Sequence, residues 1–122
     1  MRILVTGGRA YDGVAHIYGV LDVLAPSCVI HGCAGARWPR LRGADTIAGT
    51  WARENDVPVF EIPADWDLLG RRAGPIRNQR LLDEGKPDLC IAFDGGAGTR
   101  DMVRRAEAAG VLVLTAIRPP RS

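Results

Sequence analysis

A glycine-rich stretch carries the strongest chemical signal in this sequence, because its residue types suit the binding of an anion. The stretch Asp94-Gly95-Gly96-Ala97-Gly98-Thr99-Arg100-Asp101 follows an apolar, strand-like run and leads into a segment with helical spacing. Glycines let a backbone approach a ligand closely, and Thr99 is placed to cap the helix, whose positive dipole end then faces the turn. The predicted phosphate-binding residues are Gly95, Gly96, Gly98 and Thr99. The alternative is a tight connection between strand and helix that binds nothing.

A second turn of the same kind, Thr6-Gly7-Gly8-Arg9, follows the apolar run Ile3-Leu4-Val5 near the start of the chain. In an open α/β sheet, ligands bind outside the carboxyl ends of the strands, so two such turns predict one shared cleft. Neither turn matches the dinucleotide fingerprint or the P-loop with its lysine. We therefore expect no nicotinamide site, no site for ATP hydrolysis and no cofactor.

Charged and amide side chains elsewhere in the chain are candidates for the same cleft. Pro75 fits the first position of a helix, which places Arg77 and Asn78 in its first turn, and an arginine there offers bidentate recognition of phosphate. Asp45 and Asp101 are the candidate catalytic carboxylates. The alternative for each is an acid at the start of a helix that only stabilises the helix dipole.

Short apolar runs rich in Val, Ile and Leu alternate with segments of helical spacing, which predicts an α/β domain with a sheet covered on both faces. We expect one three-layer domain over residues 1–117, with a mainly parallel five-stranded sheet ordered 3-2-1-4-5, and a loose basic tail at 118–122. The predicted strands are Arg2–Val5, Cys28–His31, Val57–Ile62, Leu89–Phe93 and Val111–Ala116. The predicted helices are Gly13–Leu24, Ala44–Asn55, Pro75–Glu84 and Thr99–Ala109. The third strand contains Pro58, which suits an edge strand, and Arg37 to Arg42 is predicted to be an exposed loop near the cleft.

Composition narrows the class of protein. The 122 residues carry a net charge of +2 with both signs interspersed, which argues against nucleic acid as a partner. Cys28, Cys33 and Cys90 lack metal-type spacing and suit reduced thiols in a cytoplasmic protein, and His31 with Cys33 does not complete a metal site. No apolar run approaches ~20 residues, so we expect neither a signal peptide nor a membrane span.

Six motifs, read in order along the chain, resemble those of the YspA-like, cpYpsA-related family of the SLOG superfamily. The motifs are Thr6-Gly7-Gly8-Arg9, His31-Gly32, Gly43-Ala44-Asp45, Pro63-Ala64-Asp65-Trp66, Ala73-Gly74-Pro75-Ile76-Arg77-Asn78 and Phe93-Asp94-Gly95-Gly96-Ala97-Gly98-Thr99. The superfamily is a Rossmann-like group that includes the Lonely Guy phosphoribohydrolases and the DNA-processing protein DprA. The resemblance implies a nucleotide-like small molecule as ligand, with Gly32 among the residues that bind it. We also expect a homodimer or a higher homo-oligomer.

The resemblance leaves two functions open. One is hydrolysis of the bond between base and ribose in a nucleoside monophosphate, which needs an anchored phosphate, a carboxylate near the ribose and a route for water. Lonely Guy enzymes carry a glutamate where this chain has Met102, and Asp101 lies one residue early. The missing glutamate favours the other function, a non-catalytic sensor or sequestering module. In that module Trp66, Arg9 and Asn78 would stack on the nucleotide-derived signal or form hydrogen bonds to it.

Overall fold

The strands form where the apolar runs predict them, because parallel strands covered on both faces are apolar along their whole length. In the computed structural model, which describes residues 1–115, they are β1 (Arg2–Thr6), β2 (Cys28–His31), β3 (Val59–Glu61), β4 (Leu89–Ala92) and β5 (Leu112–Thr115). All the pairings are parallel, in the order β3-β2-β1-β4-β5. The predicted fold class and strand order are confirmed. Residue 116 of the predicted last strand and the predicted tail at 118–122 lie outside the described residues.

Helices connect the strands within residues 1–115. They are α1 (Val14–Leu24), α2 (Ala44–Glu54), the short α3 (Trp66–Leu69), α4 (Ala73–Gly85) and α5 (Ala97–Ala108). A 3-10 turn, Gly70–Arg72, joins α3 to α4. None of these helices has both the length and the apolar character needed to cross a membrane.

The two faces of the sheet bury two separate hydrophobic cores. Along β1, Ile3 and Val5 point into the core beneath α1 and α2, while Leu4 points into the core beneath α4 and α5. All three side chains are at most 1% exposed, and each contributes about 1.5–3 kcal/mol of burial free energy. Helices therefore cover both faces of the sheet, and its carboxyl edge is left for the loops that line the site.

Three local predictions were wrong in their details. Helix α5 begins at Ala97 with Gly96 as its N-cap, so Thr99 lies in the first turn and does not cap the helix. Helix α4 begins at Ala73, which makes Pro75 its third residue and moves both Arg77 and Asn78 beyond the first turn. Proline is tolerated there because the first N–H groups of a helix have no intrahelical acceptor. Strand β3 is shorter than predicted, and it does lie at the edge of the sheet.

In the basic segment Arg37 to Arg42, residues 37–40 are exposed, as predicted, whereas Leu41 is half-buried and packs against the core. None of these residues lines the cavity described below, and the segment is more ordered than a plain loop. Ala36 and Arg42 exchange two backbone hydrogen bonds, of 3.0 and 2.9 Å, which close the segment into a small hairpin. Trp38 at its tip is 84% exposed. By contrast, Trp51 on α2 is 4% exposed and belongs to the core.

Candidate functional site

A cavity of about 690 Å³ opens at the carboxyl ends of the central strands, between the two glycine turns and helices α4 and α5. This is the edge at which an open α/β sheet binds its ligands. The predicted site residues that line it are Thr6, Gly7, Gly8, Arg9, Gly32, Asp45, Trp66, Arg77, Asn78, Gly96, Gly98, Thr99 and Asp101. Gly95 is the exception: it lines a neighbouring cavity of about 560 Å³, which shares Thr99, Arg100 and Arg104 with the first.

The first glycine turn has a packing role. The amide of Gly8 donates to the carbonyl of Asp94 at 2.8 Å, which ties the first turn to the second. A Cβ atom on Gly7 would lie 2.5 Å from the Cβ of Ala44, and one on Gly8 would lie 3.1 Å from the carbonyl oxygen of Asp94. These glycines therefore allow β1, α2 and the second turn to approach one another, and the Gly8 amide is already engaged.

The second glycine turn is the more open of the two. Ala97, Gly98 and Thr99 form the first turn of α5 and line the cavity. Within residues 1–115, no atom lies within 4 Å of a Cβ built on Gly96 or Gly98. Because the first N–H groups of a helix lack intrahelical acceptors and its dipole is positive at that end, this turn suits an anion.

Arg77 reaches into the cavity from α4 and is fixed at two points. One terminal nitrogen of its guanidinium donates to the carbonyl of Gly32, and Nε donates to Oδ1 of Asn78 at 2.9 Å. A side chain on Gly32 would collide with this guanidinium, so the glycine makes room for the arginine. Burial lowers the pKa of Arg77, while Asp45 opposes that shift. The guanidinium has N–H groups beyond the two used in these bonds, and its planar fork is a group that suits an anion.

Asp101 is engaged in ion pairs and hydrogen bonds on both of its oxygens. Oδ1 accepts from Arg104 at 2.9 Å, and Oδ2 accepts from Arg105 at 2.8 Å and from Asn78 at 3.0 Å. Although burial acts in the opposite direction, the hydrogen bonds from Asn78 and Arg105 and the nearby arginine charges lower the pKa of Asp101. Asn78 also donates to the carbonyl of Gly98 at 3.3 Å, so it links α4 to the first turn of α5. The main role of the Asp101 carboxylate is therefore structural, because its bond with Asn78 links α5 to α4.

Asp45 has a different environment. It lies in the first turn of α2 and is 5% exposed, and its Oδ2 accepts the amides of Gly32 and Ala34, each at 3.1 Å. Within the described residues Oδ1 has no hydrogen-bond partner. Burial raises the pKa of Asp45 to about 6, against the opposing effects of these two amides and of Arg77. Asp45 is therefore a buried carboxylate at the cavity wall, with one oxygen that is hydrogen-bonded and one that is not.

An aromatic ring lies at another part of the cavity wall. Trp66 is the first residue of α3, a helix whose start Asp65 caps by accepting the amide of Leu68 at 3.1 Å. The guanidinium of Arg9 lies 5.3 Å from the ring centroid, and a Cβ on Gly74 would lie 3.2 Å from the ring. Trp66 is 46% exposed, although the Arg9 guanidinium lies over its ring.

His31, Cys33 and Glu61 form the one group within residues 1–115 whose side chains could hold a metal ion by proximity. Nδ1 of His31 accepts the amide of Cys33 at 3.0 Å, which leaves the proton of the neutral imidazole on Nε2. Nε2 lies 3.2 Å from Glu61, although without the alignment of a hydrogen bond. Burial lowers the pKa of His31 to about 4, so the ring is neutral near pH 7. With the proton on Nε2, the arrangement offers a metal no lone pair at that nitrogen.

Sequence reasoning missed several residues that line the cavity. The additional residues include three arginines, a glycine and a proline: Arg71, Arg100, Arg104, Gly74 and Pro75. Arg100 and Arg104 follow the glycine turn on the first two turns of α5, and helical periodicity alone would have placed them near it. Arg71 follows the short helix α3, which the sequence pattern did not reveal.

The fold and the cavity define a class of protein: a doubly wound α/β domain whose candidate site lies where the strand order reverses, beside a glycine turn that opens a helix. The chain belongs to the YspA, cpYpsA-related SLOG family, whose model matches residues 1–68. It is also 35% identical, over 125 aligned residues, to the Gene 61 protein of Mycobacterium phage D29. That alignment covers 93% of this chain and 94% of the phage protein. The resemblance inferred from the six motifs is thereby confirmed.

Proposed function

We propose that this protein binds a nucleotide in the cavity, with the phosphate at the first turn of α5. The main support for this proposal is that three features line the same cavity: the open N-terminus of α5, the partly buried Arg77 and the partly exposed Trp66. Its volume of about 690 Å³ falls within the roughly 300–1,000 Å³ that is usual for small-molecule sites. Membership of the SLOG family supports a nucleotide-related ligand.

The phosphate end of the ligand is assigned by charge. Arg77, Arg100 and Arg104 line the cavity together with the first turn of α5. Arg77 is fixed by Gly32 and Asn78, so little side-chain entropy is lost when it binds an anion. The base is assigned to Trp66, because an exposed indole offers a flat apolar surface for stacking.

A second candidate activity is hydrolysis of the bond between base and ribose. The unpartnered oxygen of Asp45 favours it, because positive charge that develops on the ribose needs an anion close by. Asp101 does not suit this role, since Asn78, Arg104 and Arg105 occupy both of its oxygens. Met102, which stands where Lonely Guy enzymes carry a glutamate, is 1% exposed and contributes only apolar surface. The binding function does not depend on this hydrolysis.

The experiment that tests the proposal is a thermal-shift series with nucleosides, nucleoside 5′-monophosphates and inorganic phosphate. A nucleotide at ~100 times its dissociation constant should stabilise the protein by about 2.7 kcal/mol. The matching nucleoside should stabilise it far less, because the arginines and the α5 turn offer donors chiefly to phosphate. Equal shifts with nucleoside and nucleotide would contradict the phosphate assignment. Chromatography of the best ligand after incubation then shows whether any base is released.

A further inference from the structure

Asn78 is a buried amide whose hydrogen bonds join the two helices that line the cavity. It lies on α4, next to Arg77, and is 4% exposed. Its Oδ1 accepts from Nε of Arg77 at 2.9 Å. Its Nδ2 donates to the carbonyl of Gly98 at 3.3 Å and to Oδ2 of Asp101 at 3.0 Å, both on α5. Since an amide nitrogen has two N–H groups, both donors of Asn78 are in use.

The partners of Asn78 dictate which way its amide faces. The carbonyl of Gly98 and the ionised carboxylate of Asp101 can only accept hydrogen bonds, whereas Nε of Arg77 can only donate. Turning the amide over would place its N–H groups against Arg77 and its oxygen against two other oxygens. The two bonds to α5 therefore hold Oδ1 against the guanidinium of Arg77.

The same bonds leave Asn78 poorly suited to contact a phosphate itself. A phosphate near pH 7 mainly accepts hydrogen bonds, and Asn78 has no further N–H group to donate. The guanidinium of Arg77 differs, because it has N–H groups beyond the two that bond to Asn78 and to the carbonyl of Gly32. Of these two neighbours on α4, the arginine is thus the one suited to bind phosphate.

We infer that Asn78 is a positioning residue, which strengthens nucleotide binding by holding the guanidinium of Arg77 in place and makes no contact with the phosphate. This inference rests on the proposed function, because it requires that Arg77 binds the phosphate. A long side chain that must be ordered when the ligand binds loses entropy at that step. Releasing Arg77 from Asn78 should therefore weaken binding roughly 3- to 10-fold.

The test is a double-mutant cycle, with affinities for a nucleoside 5′-monophosphate measured by calorimetry. Four proteins are compared: the parent, Asn78→Ala, Arg77→Lys and the double variant. Arg77→Lys keeps the positive charge, so that binding stays measurable, but lysine has a methylene group where arginine has Nε. We expect Asn78→Ala to weaken binding roughly 3- to 10-fold in the parent and less than about 2-fold in Arg77→Lys.

Asn55→Ala is the matched control for a structural effect. Asn55 donates to the carbonyl of Trp51 at 2.8 Å at the end of α2, and it does not line the cavity. Asn55→Ala and Asn78→Ala should both lower the free energy of unfolding, because each removes an amide that bonds to a backbone carbonyl. The nucleotide affinity of Asn55→Ala should equal that of the parent.

If Asn78→Ala weakens binding as much in Arg77→Lys as in the parent, the inference is overturned and nucleotide binding stands, because Asn78 then acts on the ligand or on α5 independently of Arg77. Unchanged affinity of Asn78→Ala in the parent background overturns it too. If the parent binds no nucleotide, the proposed function fails and the inference fails with it.

A second measurement uses the ligand-free parent, so a poorly folded Asn78→Ala variant does not prevent a decision. In NMR spectra, Nε–H of Arg77 should exchange with water more slowly than Nε–H of the exposed Arg100, because the amide of Asn78 holds it. Equal exchange at the two arginines would overturn the inference.

Discussion

Gly8 and Asp94 lie in different turns of the chain, yet a backbone hydrogen bond of 2.8 Å joins them. The two glycine turns therefore form one rigid unit at the carboxyl ends of β1 and β4. The first turn supports the second from behind, and the second presents the start of α5 to the cavity. Two turns that look alike in the sequence thus have different physical tasks.

This division of tasks predicts opposite effects of adding one methyl group. Gly8→Ala should lower the free energy of unfolding by about 1–3 kcal/mol, because its Cβ would lie 3.1 Å from the carbonyl oxygen of Asp94 and would force the turns apart. Gly98→Ala should raise it by up to about 1 kcal/mol, since its Cβ meets no described atom within 4 Å and alanine is the better helix former. Urea denaturation of both variants checks the prediction. Similar destabilisation by the two changes would contradict it.

Arg77→Ala should weaken nucleotide binding, because the variant removes a fixed guanidinium from the cavity wall. Loss of a charge-assisted hydrogen bond costs about 1.5–3 kcal/mol of affinity. The same change should also destabilise the apo protein, since Arg77 bonds to Gly32 and Asn78. Arg80→Ala is the matched control: this arginine is on the same helix, is solvent-exposed and pairs with Glu84. If calorimetry gives the same nucleotide affinity for Arg77→Ala and Arg80→Ala, then Arg77 does not bind the nucleotide.

Much of the fold was predictable because the signals for it are local. Apolar runs such as Ile3 to Val5 identify the strands, and Pro58 correctly placed β3 at the sheet edge. Helix starts were less predictable, because a first turn tolerates many residues. Pro75 suits the third position of α4 as well as the first, and the extended backbone of Gly96 caps α5 without any side-chain hydrogen bond.

The composition of the candidate site was largely predictable, but the state of each side chain was not. Asp45 and Asp101 were equal candidates at the level of the sequence. Part of the difference between them is local: Arg104 and Arg105 lie three and four residues after Asp101 on α5, a spacing at which side chains on a helix pair. The rest is tertiary, because Asn78 reaches Asp101 from another helix. That contact depends on the angle between α4 and α5, which no sequence period encodes.

Asp101→Asn should lower stability and leave any base release unchanged. The substitution removes the charge that pairs with Arg104 and Arg105, one of which is largely exposed, so we expect a loss of about 1 kcal/mol. Because hydrogen bonds and arginine charges lower the pKa of Asp101, its contribution is present above the ordinary aspartate pKa and is lost as the pH falls through the lowered value. Denaturation together with a base-release assay tests this. Folded Asp101→Asn protein that has lost turnover would show that this carboxylate, and not Asp45, is the catalytic one.

The contribution of Asp45 to the free energy of unfolding should depend on pH in the opposite sense to that of Asp101, because burial raises the pKa of Asp45 to about 6. Between the ordinary aspartate pKa and about 6, the native state binds more protons at Asp45 than the unfolded chain does. The contribution of Asp45 to the free energy of unfolding therefore falls as the pH rises through this window. Above about pH 6 this contribution has reached its lowest value. The groups facing Asp45 are Arg77 on α4 and the thiols of Cys33 and Cys90, and burial raises the pKa of both thiols, to about 11 and about 12, so neither titrates here.

Asp45→Asn should therefore be more stable than the parent near pH 7, by up to about 3 kcal/mol, and the advantage should shrink toward pH 4. His31 contributes a term of opposite sign in the same window, since its pKa is lowered to about 4, so parent and variant must be compared at each pH. Urea denaturation between about pH 4 and pH 7 gives the difference. A difference that does not change with pH would show that Asp45 has an ordinary pKa.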